Sequence, residues 1–545
     1  MTIEKLLDRK PFKIQDNIEF DYVGTLKRIN SYINNVYINA DKNSIFWNIS
    51  NSRIIHFAKH IDLDTKDLQP YADGDVSYFR CWVLRMKFYR WLEDNHFALT
   101  LNARSIGLAT YGSWVWKLTK SDKGIDISSP NLQNLYFDTS QENLKDGDIV
   151  EKHFLNVNQL RKKRKVWDNV DKVLKDVKDI HEIYEFWGYD EEEEEYIQKI
   201  QYKTGKDAII LLKENRTEDD FPYYDYHIGE YQGRWLRIGI VERCFDLQVR
   251  ANQLVNQNVQ ASEIASLLLL RTSNPEMLGN VLQDVENGEV INSDDLQQIG
   301  ISNNGLNQFV QELNLIEQKA DEICLTPQLV TGDTLPSGTP FRSIAVATNA
   351  ASSSYNIIRE NLGEGTGYLL KEKIFPGIIK SWNGKEEILE LSRDEADVRY
   401  FDKILKKKGR MKMLTDNIFS GKVVNTKQME EVDKLLEEND IPKRVKIDKG
   451  TFDFKWHIRT NITGESVDKS QRNDALSNSL QWIQSNPAIV DIPYFRQYCE
   501  ENGINWWRLT AEQQENIQQG QTSGAIPNKM GPKEDKLLSK VDTPK

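Results

Sequence analysis

The sequence predicts an α+β protein in which a strand-rich N-terminal part precedes several long helices. Two blocks of alternating apolar and polar residues, with Gly- and Asp-containing turns between them, predict β-strands. Three later segments instead carry apolar residues at helical spacing over 20 residues or more. The predicted strands are 107–118, 124–127, 135–138 and 148–155 in the first block, followed by a helix after Asn156, and 183–189, 195–202 and 208–213 in the second.

The length and composition of the chain predict a soluble protein with several domains. The 545 residues leave room for two to four domains, and 39% hydrophobic with 28% charged residues is typical of a soluble protein. No apolar run approaches 18 residues, and the N-terminus lacks the apolar core of a signal peptide. The four cysteines, Cys81, Cys244, Cys324 and Cys499, form no CxxC pair, so we expect reduced thiols in a cytosolic setting.

The first long helix is predicted at 238–265, after the segment Gly233-Arg234-Trp235. About 28 residues span roughly 40 Å, which exceeds an ordinary core helix. Its apolar side chains fall at mostly helical spacing, and the rest of its surface is rich in Gln and Asn with few charges. A solvated face usually carries Lys and Glu, so we expect this amide face to pack against polar surfaces of other helices, including identical neighbours.

Two more helices and a loop follow. The second helix, 306–325, places its apolar residues on one stripe. The Gly- and Pro-rich segment 326–339 cannot be helical, and Thr339 and Pro340 fit the N-cap and first position of a helix over 340–375. We expect that helix to bend or break at Gly363, Gly365 and Gly367. Between the first two helices, 267–270 is a strand candidate and 287–291 a strand–turn pattern.

This order of parts, centred on GRWLRIGIVERCFDLQVRANQLVNQNVQAS, resembles the portal (head–tail connector) proteins of tailed bacteriophages, particularly the short-tailed type. The resemblance covers residues 100 to 490 and implies the portal fold: a β-rich wing, two stem helices flanking a small α/β clip, a tunnel loop, a long wing helix and a crown-like C-terminal region. The implied boundaries are N-terminal wing 1–237, stem helix 238–265, clip 266–304, stem helix 305–325, tunnel loop 326–339, long wing helix 340–380, C-terminal wing or crown region 381–511, and an expected disordered tail 512–545.

The resemblance also implies a function. Portals form a dodecameric ring at one capsid vertex, through which double-stranded DNA is packaged and ejected without sequence readout. The implied partners are eleven further copies, the major capsid protein, the terminase and a tail adaptor, in the virion and, during assembly, in the host cytoplasm. The implied sites are the tunnel loop (Thr331, Gly332, Asp333, Thr334, Leu335, Pro336, Ser337, Gly338), stem and inter-subunit packing (Ile238, Val241, Phe245, Gln248, Val249, Asn252, Phe309, Leu313, Ile316), and clip partner binding (Asn287, Gly288, Glu289, Val290).

The charge balance fits a conduit better than a DNA clamp. The formal net charge is −12, whereas proteins that grip phosphates usually present a basic surface. Within 331–338 the only charged residue is Asp333, so this loop is poorly suited to capturing phosphate. We expect weak polar contact with a sliding duplex.

No catalytic signature stands out. There is no GxxxxGK[ST] loop and no GxSxG motif, and the His56 and His60 pair lacks the glutamate of HExxH. We therefore predict no catalysis, metal or cofactor. Two alternatives remain: a nucleic-acid-processing enzyme with dispersed acidic metal ligands, and a structural tail or capsid protein that does not contact DNA.

Several charged or aromatic segments have two interpretations. The Arg- and aromatic-rich helix 77–99 could stack on nucleic acid, but a core helix is favoured. The basic run 161–165 could contact phosphates, but a solvated helix face is favoured, and the acidic run 190–195 is expected to be a solvated hairpin tip rather than a cation site. Further on, we expect helices at 399–412, 426–439 and from 463–466 onward, and strands at 444–447 and 451–459.

Overall fold

The computed structural model describes residues 3–36, 44–65, 68–72, 78–121, 124–190, 194–266, 270–271, 297–298, 304–325, 341–380, 387–390, 444–447, 456–460 and most of 475–499. The protein is α+β, as predicted. It divides into two compact units, one of Met1–Ser381 with Phe454–Ile462 and one of Trp382–Asp453 with Thr463–Lys545. The predicted tunnel loop, the clip turn, the helices at 399–412 and 426–439 and the C-terminal tail lie outside the described residues.

The first unit contains the two predicted strand blocks as antiparallel sheets. A five-stranded sheet has the order β10-β9-β8-β7-β6, and a three-stranded sheet has the order β11-β4-β5. The alternating patterns predicted most of these strands correctly. The strands are β1 Phe12–Gln15, β2 Ile18–Phe20, β3 Leu68–Ala72, β4 Ser113–Ser121, β5 Gly124–Ser128, β6 Leu135–Phe137, β7 Ile149–Asn156, β8 Ile180–Asp190, β9 Glu195–Tyr202, β10 Ile209–Asn215 and β11 Tyr223–His227.

Helices surround these sheets. The helix predicted after Asn156 is present, and the Asn156 side chain caps it by accepting from Gln159 N. The acidic run predicted as a hairpin tip joins β8 to β9, whose register pairs Asp190 with Glu195. The N-terminal helices are α1 Ile3–Leu7, α2 Tyr22–Ile33, α3 Asn51–Ile61, α4 Tyr78–Asp94, α5 Phe97–Tyr111, α6 Val157–Lys163 and α7 Val170–Val173.

One predicted strand begins too early. Residues 107–111 were expected to be the start of a strand, but they form the last turns of α5, in which Leu101, Arg104 and Leu108 are fully buried. Gly112, with φ of 81°, ends the helix, and its N–H donates to Leu108 O at 2.8 Å. The short, mostly apolar segment 107–111 was ambiguous because a buried helix and a buried strand can both contain such a run.

The Arg- and aromatic-rich helix belongs to the core. Leu84, Phe88 and Leu92 of α4 are buried, and Phe88 stacks on Phe375 with ring centroids 4.8 Å apart. This packing supports the interpretation as a core helix over the stacking surface. The predicted helix 77–99 is divided at His96, which has φ of 49°.

The central segment differs in two places from its prediction. The first long helix is divided at Cys244 into α8 Ile240–Arg243 and α9 Phe245–Ser266. The long helix Phe341–Leu369 runs without a break through its three glycines, so the predicted break there is wrong. A Cβ on Gly365 would lie 3.5 Å from the Tyr226 ring, which is an ordinary van der Waals contact. The irregularity comes later, as a π-helical turn at Leu370–Ile374 before a short helix Phe375–Lys380.

The remaining elements complete the two units. The second stem prediction corresponds to α10 Asn304–Ile323, and within the predicted clip the pair β12 Leu270–Arg271 and β13 Gln297–Gln298 is antiparallel. The predicted strand at 444–447 is confirmed as β15 Arg444–Ile447, paired with β14 Glu387–Glu390, and the strand expected at 451–459 is β16 Trp456–Thr460, paired with β3. No helix within the described residues is long and apolar enough to span a membrane.

Candidate functional site: the helix hairpin and its root

The candidate site is the helix hairpin, formed by α9 and α10, together with its root, residues 233–244. The two helices run antiparallel. Cys244 at the start of α9 contacts Cys324 at the end of α10, and Arg250 pairs with Glu312 at 2.7 Å further along. This hairpin is the described part of the predicted stem.

Trp235 anchors the root in the main core of the first unit. Its ring is fully buried, with its centroid 4.8 Å from that of Phe137 in an edge-on arrangement. Its backbone N–H donates to Thr139 O at 2.9 Å, and its indole N–H donates to Asp225 Oδ2 at 2.9 Å. The chain that leads into the hairpin is therefore held by apolar burial and by two directional bonds.

Two glycines allow the root to approach α5 closely. A Cβ on Gly112 would overlap the Arg237 carbonyl oxygen and the Gly239 nitrogen, and one on Gly239 would overlap Thr110 O and Gly112 N. Gly112 also has φ of 81°, a conformation that is costly for residues with a Cβ. The crossing of these two backbones therefore requires glycine on both sides.

A serine, a histidine and an aspartate are aligned beside the root. Ser113 Oγ lies 2.8 Å from His227 Nδ1, and His227 Nε2 lies 3.1 Å from Asp225 Oδ2. Burial alone would raise the pKa of the Asp225 carboxyl, but its interaction with His227 and the hydrogen bonds from Trp235 and Leu144 N outweigh burial and hold that pKa below its usual range. The order serine–histidine–aspartate is that of a hydrolytic triad, but the ring nitrogens are exchanged, since the serine of a triad faces Nε2 and here it faces Nδ1.

Burial argues against nucleophilic use of this serine. Ser113 is fully buried; its hydroxyl lies 3.1 Å from Trp235 O and accepts from Arg237 N at 3.0 Å. Asp225 and His227 line a groove of about 480 Å³ beside the long helix, but Ser113 is not among its lining residues. The three side chains thus tie the root to β4 and β11, with no substrate access to the hydroxyl.

The amide face of α9 is occupied by the protein's own chain. The side-chain oxygens of Gln248, Asn252 and Asn256 accept from the backbone N–H groups of Ile49, Trp47 and Ile45 at 3.0, 2.8 and 2.8 Å. Asn256 Nδ2 also donates to Ile45 O at 2.9 Å, and Gln248 Nε2 donates to Trp47 O. Four helical residues span about 6 Å and two extended residues span about 6.6 Å. An amide side chain at every fourth position of α9 can therefore bond to the backbone of every second residue in the segment 45–49.

This amide ladder changes the expectation for two predicted packing residues. Gln248 and Asn252 are fully buried, and their partners are in residues 45–49 of the same chain. They are therefore not free to meet an identical neighbour. The sequence signal was the amide run itself, but it could not identify the segment, some 200 residues earlier, that it binds.

The other predicted packing residues are distributed around the hairpin. Val241 and Ile316 are buried, whereas Ile238 is 37% exposed. Phe245 contacts the Tyr32 ring with centroids 5.5 Å apart, and Val249, Phe309 and Leu313 are half-buried. The predicted tunnel-loop residues 331–338 and clip residues 287–290 lie outside the described part of the chain.

The contact between Cys244 and Cys324 was not foreseen. Both side chains are fully buried, and their Sγ atoms are 3.1 Å apart. Arg53 reaches the same region from α3, pairing with Asp321 at 2.7 Å and donating to Glu317 O at 2.9 Å. Because Cys244 and Cys324 are 80 residues apart in the sequence, no local pattern such as CxxC points to their contact.

A second polar group, the Lys117 cluster (Lys117, Glu151, His153, Glu185 and Tyr223), joins the two larger sheets. Lys117 Nζ lies 2.6 Å from a carboxylate oxygen of Glu151 and 2.6 Å from one of Glu185. Burial alone would raise the pKa of Glu185, but Lys117 and His153 outweigh it and hold that pKa well below its usual range. Burial alone would lower the pKa of Lys117, and the two carboxylates outweigh this and raise it.

The same cluster contains the one described group whose ligand atoms are close enough for a metal. Donor atoms of Glu151, His153 and Glu185 lie within 4.8 Å of one another. Lys117 already supplies the positive charge between the carboxylates, and the Glu185 oxygens also accept from Trp187 Nε1 at 2.8 Å and Gln198 Nε2 at 3.0 Å. These donors use the lone pairs that a metal would need, so the residues present do not fit a metal site.

Neither a protein-family model nor a curated protein matches this chain.

Proposed function

We propose that this protein is a bacteriophage portal that assembles into a dodecameric ring and conducts double-stranded DNA through its centre during packaging and ejection. In this proposal the helix hairpin is the stem, and the sheets of the first unit belong to the wing. The ring sits at one capsid vertex, where terminase binds during packaging and a tail adaptor binds afterwards.

The observation that carries the proposal is the antiparallel hairpin with its anchored root. A channel wall must transmit load between a base and the partners at its far end. Trp235, the Gly112–Gly239 crossing and the Ser113 hydrogen bonds fix the start of the hairpin to two sheets of the base. From this root, α9 with 22 residues and α10 with 20 residues each span roughly 30 Å.

Exposed apolar side chains on α10 favour assembly. Val310 and Leu315 are each 54% exposed and Ile323 is 42% exposed, although α10 belongs to a two-helix hairpin. Single exposed apolar residues are common on monomers, but three on one helix of a projecting hairpin fit a lateral contact with another copy. A ring supplies that contact by a head-to-tail interface that closes.

The first experiment is to count subunits in negative-stain electron micrographs of the purified protein. We expect twelve-fold rings with an open central hole wide enough for a duplex. Val310→Asp with Leu315→Asp should reduce ring formation, whereas Gln308→Asp, on the same helix at an exposed polar position, should leave it unchanged. Circular dichroism of each variant confirms that the protomer is folded.

Other assemblies would favour the two alternatives. A compact dimer together with Mg²⁺- or Mn²⁺-dependent cleavage of duplex DNA would favour a nucleic-acid-processing enzyme. A closed or six-fold assembly with no continuous channel would favour a structural tail or capsid protein. Either result would refute the portal proposal.

A further inference from the structure

We propose that Cys244 and Cys324 form a dithiol site that a peroxide oxidises to an intrachain disulfide, which locks the root of the helix hairpin. The site lies where the first residue before α9 meets the first residue after α10. The inference concerns the folded protomer and does not depend on ring assembly.

The geometry needs little change to form the bond. The Sγ atoms are 3.1 Å apart, and a disulfide requires about 2.05 Å. Cys244 occupies the break between α8 and α9, with φ of −91° and ψ of 1°, and Cys324 is followed by Leu325 in a left-handed conformation with φ of 59°. Both residues therefore lie at helix ends, where a movement of about 1 Å does not disrupt a regular helix.

The surroundings favour a reactive thiolate on one side. The hydrogen bond from Cys324 lowers the pKa of Cys244, and Arg53 and Arg243 lower it further, against the opposing effect of burial. The same contact and burial raise the pKa of Cys324. One attacking thiolate beside one protonated thiol is the arrangement that a two-step oxidation uses.

The chemistry balances with hydrogen peroxide as the oxidant. The Cys244 thiolate attacks one peroxide oxygen, the O–O bond breaks, and the products are a sulfenic acid and hydroxide, which takes up a proton to become water. Cys324 then attacks the sulfenic sulfur, the S–S bond forms, and a second water leaves. In total the two sulfurs lose two electrons, and peroxide is reduced to two waters. Because both thiols are fully buried, access requires a brief local opening at these helix ends.

The bond would close a covalent loop that contains both hairpin helices and everything between them. A loop of about 80 residues restricts the unfolded chain strongly, so the oxidised hairpin should unfold at a higher temperature, by roughly 5–10 °C. The lock would act at the root, where the hairpin meets the sheets.

The test is peroxide treatment of the full-length wild-type protein, followed by alkylation, denaturation and peptide mapping without reductant. We expect a linked Cys244–Cys324 peptide, a fall in free thiols from four to two per chain, and recovery of all four with dithiothreitol. Cys324→Ser should yield no linked peptide, whereas the matched control Cys499→Ser, in the second unit, should still yield the Cys244–Cys324 peptide and fall from three free thiols to one.

Two results would overturn the inference. One is a wild-type protein that keeps four thiols or oxidises them singly to sulfinic acids. The other is a disulfide that links Cys81, Cys499 or two chains. Because the mapping is made on the wild type, it gives an answer even if a cysteine variant fails to fold.

Discussion

Replacing Lys117 with methionine should destabilise the first unit severely. The Lys117 ammonium lies 2.6 Å from each of two carboxylates, and side-chain exposure is 11% for Lys117, 10% for Glu151 and 8% for Glu185. Without the ammonium, two buried carboxylates would face each other with only the His153 imidazole, 2.8 Å from Glu185 Oε2, to compensate their charge. Breaking such a group by removing one partner costs about 3–5 kcal/mol. For a unit of roughly 390 residues, with about 2.1 cal/mol/K of unfolding entropy per residue, this corresponds to roughly 4–6 °C in unfolding temperature.

The matched control is Lys152→Met on β7, at the position next to Glu151. Lys152 pairs with Glu182 at 2.9 Å, but Glu182 is 49% exposed, so this pair is screened by solvent. We expect its loss to change the free energy of unfolding by roughly 0–1 kcal/mol. Both variants are measured by urea unfolding followed by tryptophan fluorescence, because Trp187 donates to Glu185 within the cluster.

A rescue variant separates lost charge pairing from lost packing. Lys117→Met combined with Glu151→Gln and Glu185→Gln removes the unpaired charges and keeps the side-chain volumes similar. It should recover at least half of the stability lost in Lys117→Met. If Lys117→Met costs no more than Lys152→Met, or if the triple variant is as unstable as the single one, the charge argument is refuted.

Acid should narrow the difference between wild type and Lys117→Met. Since the pKa of Glu185 is lower in the folded protein than its ordinary 4.5, its contribution to stability is present above that pH and is lost as pH falls towards the folded value. Lys117→Met has already lost the part of this contribution that Lys117 supplies. Urea midpoints measured between pH 7 and pH 3.5 should therefore converge below about pH 4.5.

Two further predictions concern the hairpin and its root. Asn252→Ala should cost about 1–2 kcal/mol because it removes a fully buried amide and leaves the part-buried Trp47 N–H without its acceptor. The exposed neighbour Gln253→Ala should stay within roughly 0.5 kcal/mol, and equal urea midpoints would contradict the role of the ladder. Gly112→Ala should cost clearly more than Gly229→Ala, because both have positive φ, of 81° and 78°, but only Gly112 has backbone within reach of a Cβ. Thermal unfolding that ranks the two glycine variants equally would show that strain alone, about 1–2 kcal/mol, explains both.

Structure that depends on neighbouring residues in the sequence could be predicted. The strands β7, β8 and β9 could be recognised because alternation reports directly on which face is buried, and the Asn156 cap could be recognised from the residue type. The break at Cys244 carries no Gly or Pro to mark it. Conversely, the long helix continues through three closely spaced glycines that predicted a break, and one of them, Gly365, lies beside Tyr226.

The polar contacts of the candidate site could not be predicted because they join distant parts of the chain. Lys117 meets carboxylates 34 and 68 residues away, and Cys244 meets Cys324 across 80 residues. Each partner is an ordinary residue in its own segment. Only the fold of the sheets and the antiparallel hairpin brings them within hydrogen-bonding distance.

The amide ladder also changes which surface a ring would use. The Gln- and Asn-rich face of α9 looked suited to an identical neighbour, but the side-chain oxygens of its amides already accept from residues 45–49. A neighbour that displaced this segment would leave the N–H groups of Ile45, Trp47 and Ile49 without acceptors, at a cost of about 1–3 kcal/mol for each buried one. Val310 and Leu315 on α10 bear no such penalty, because covering them removes exposed apolar surface and breaks no bond. In the ring that we propose, lateral contact between stems should therefore be made by α10.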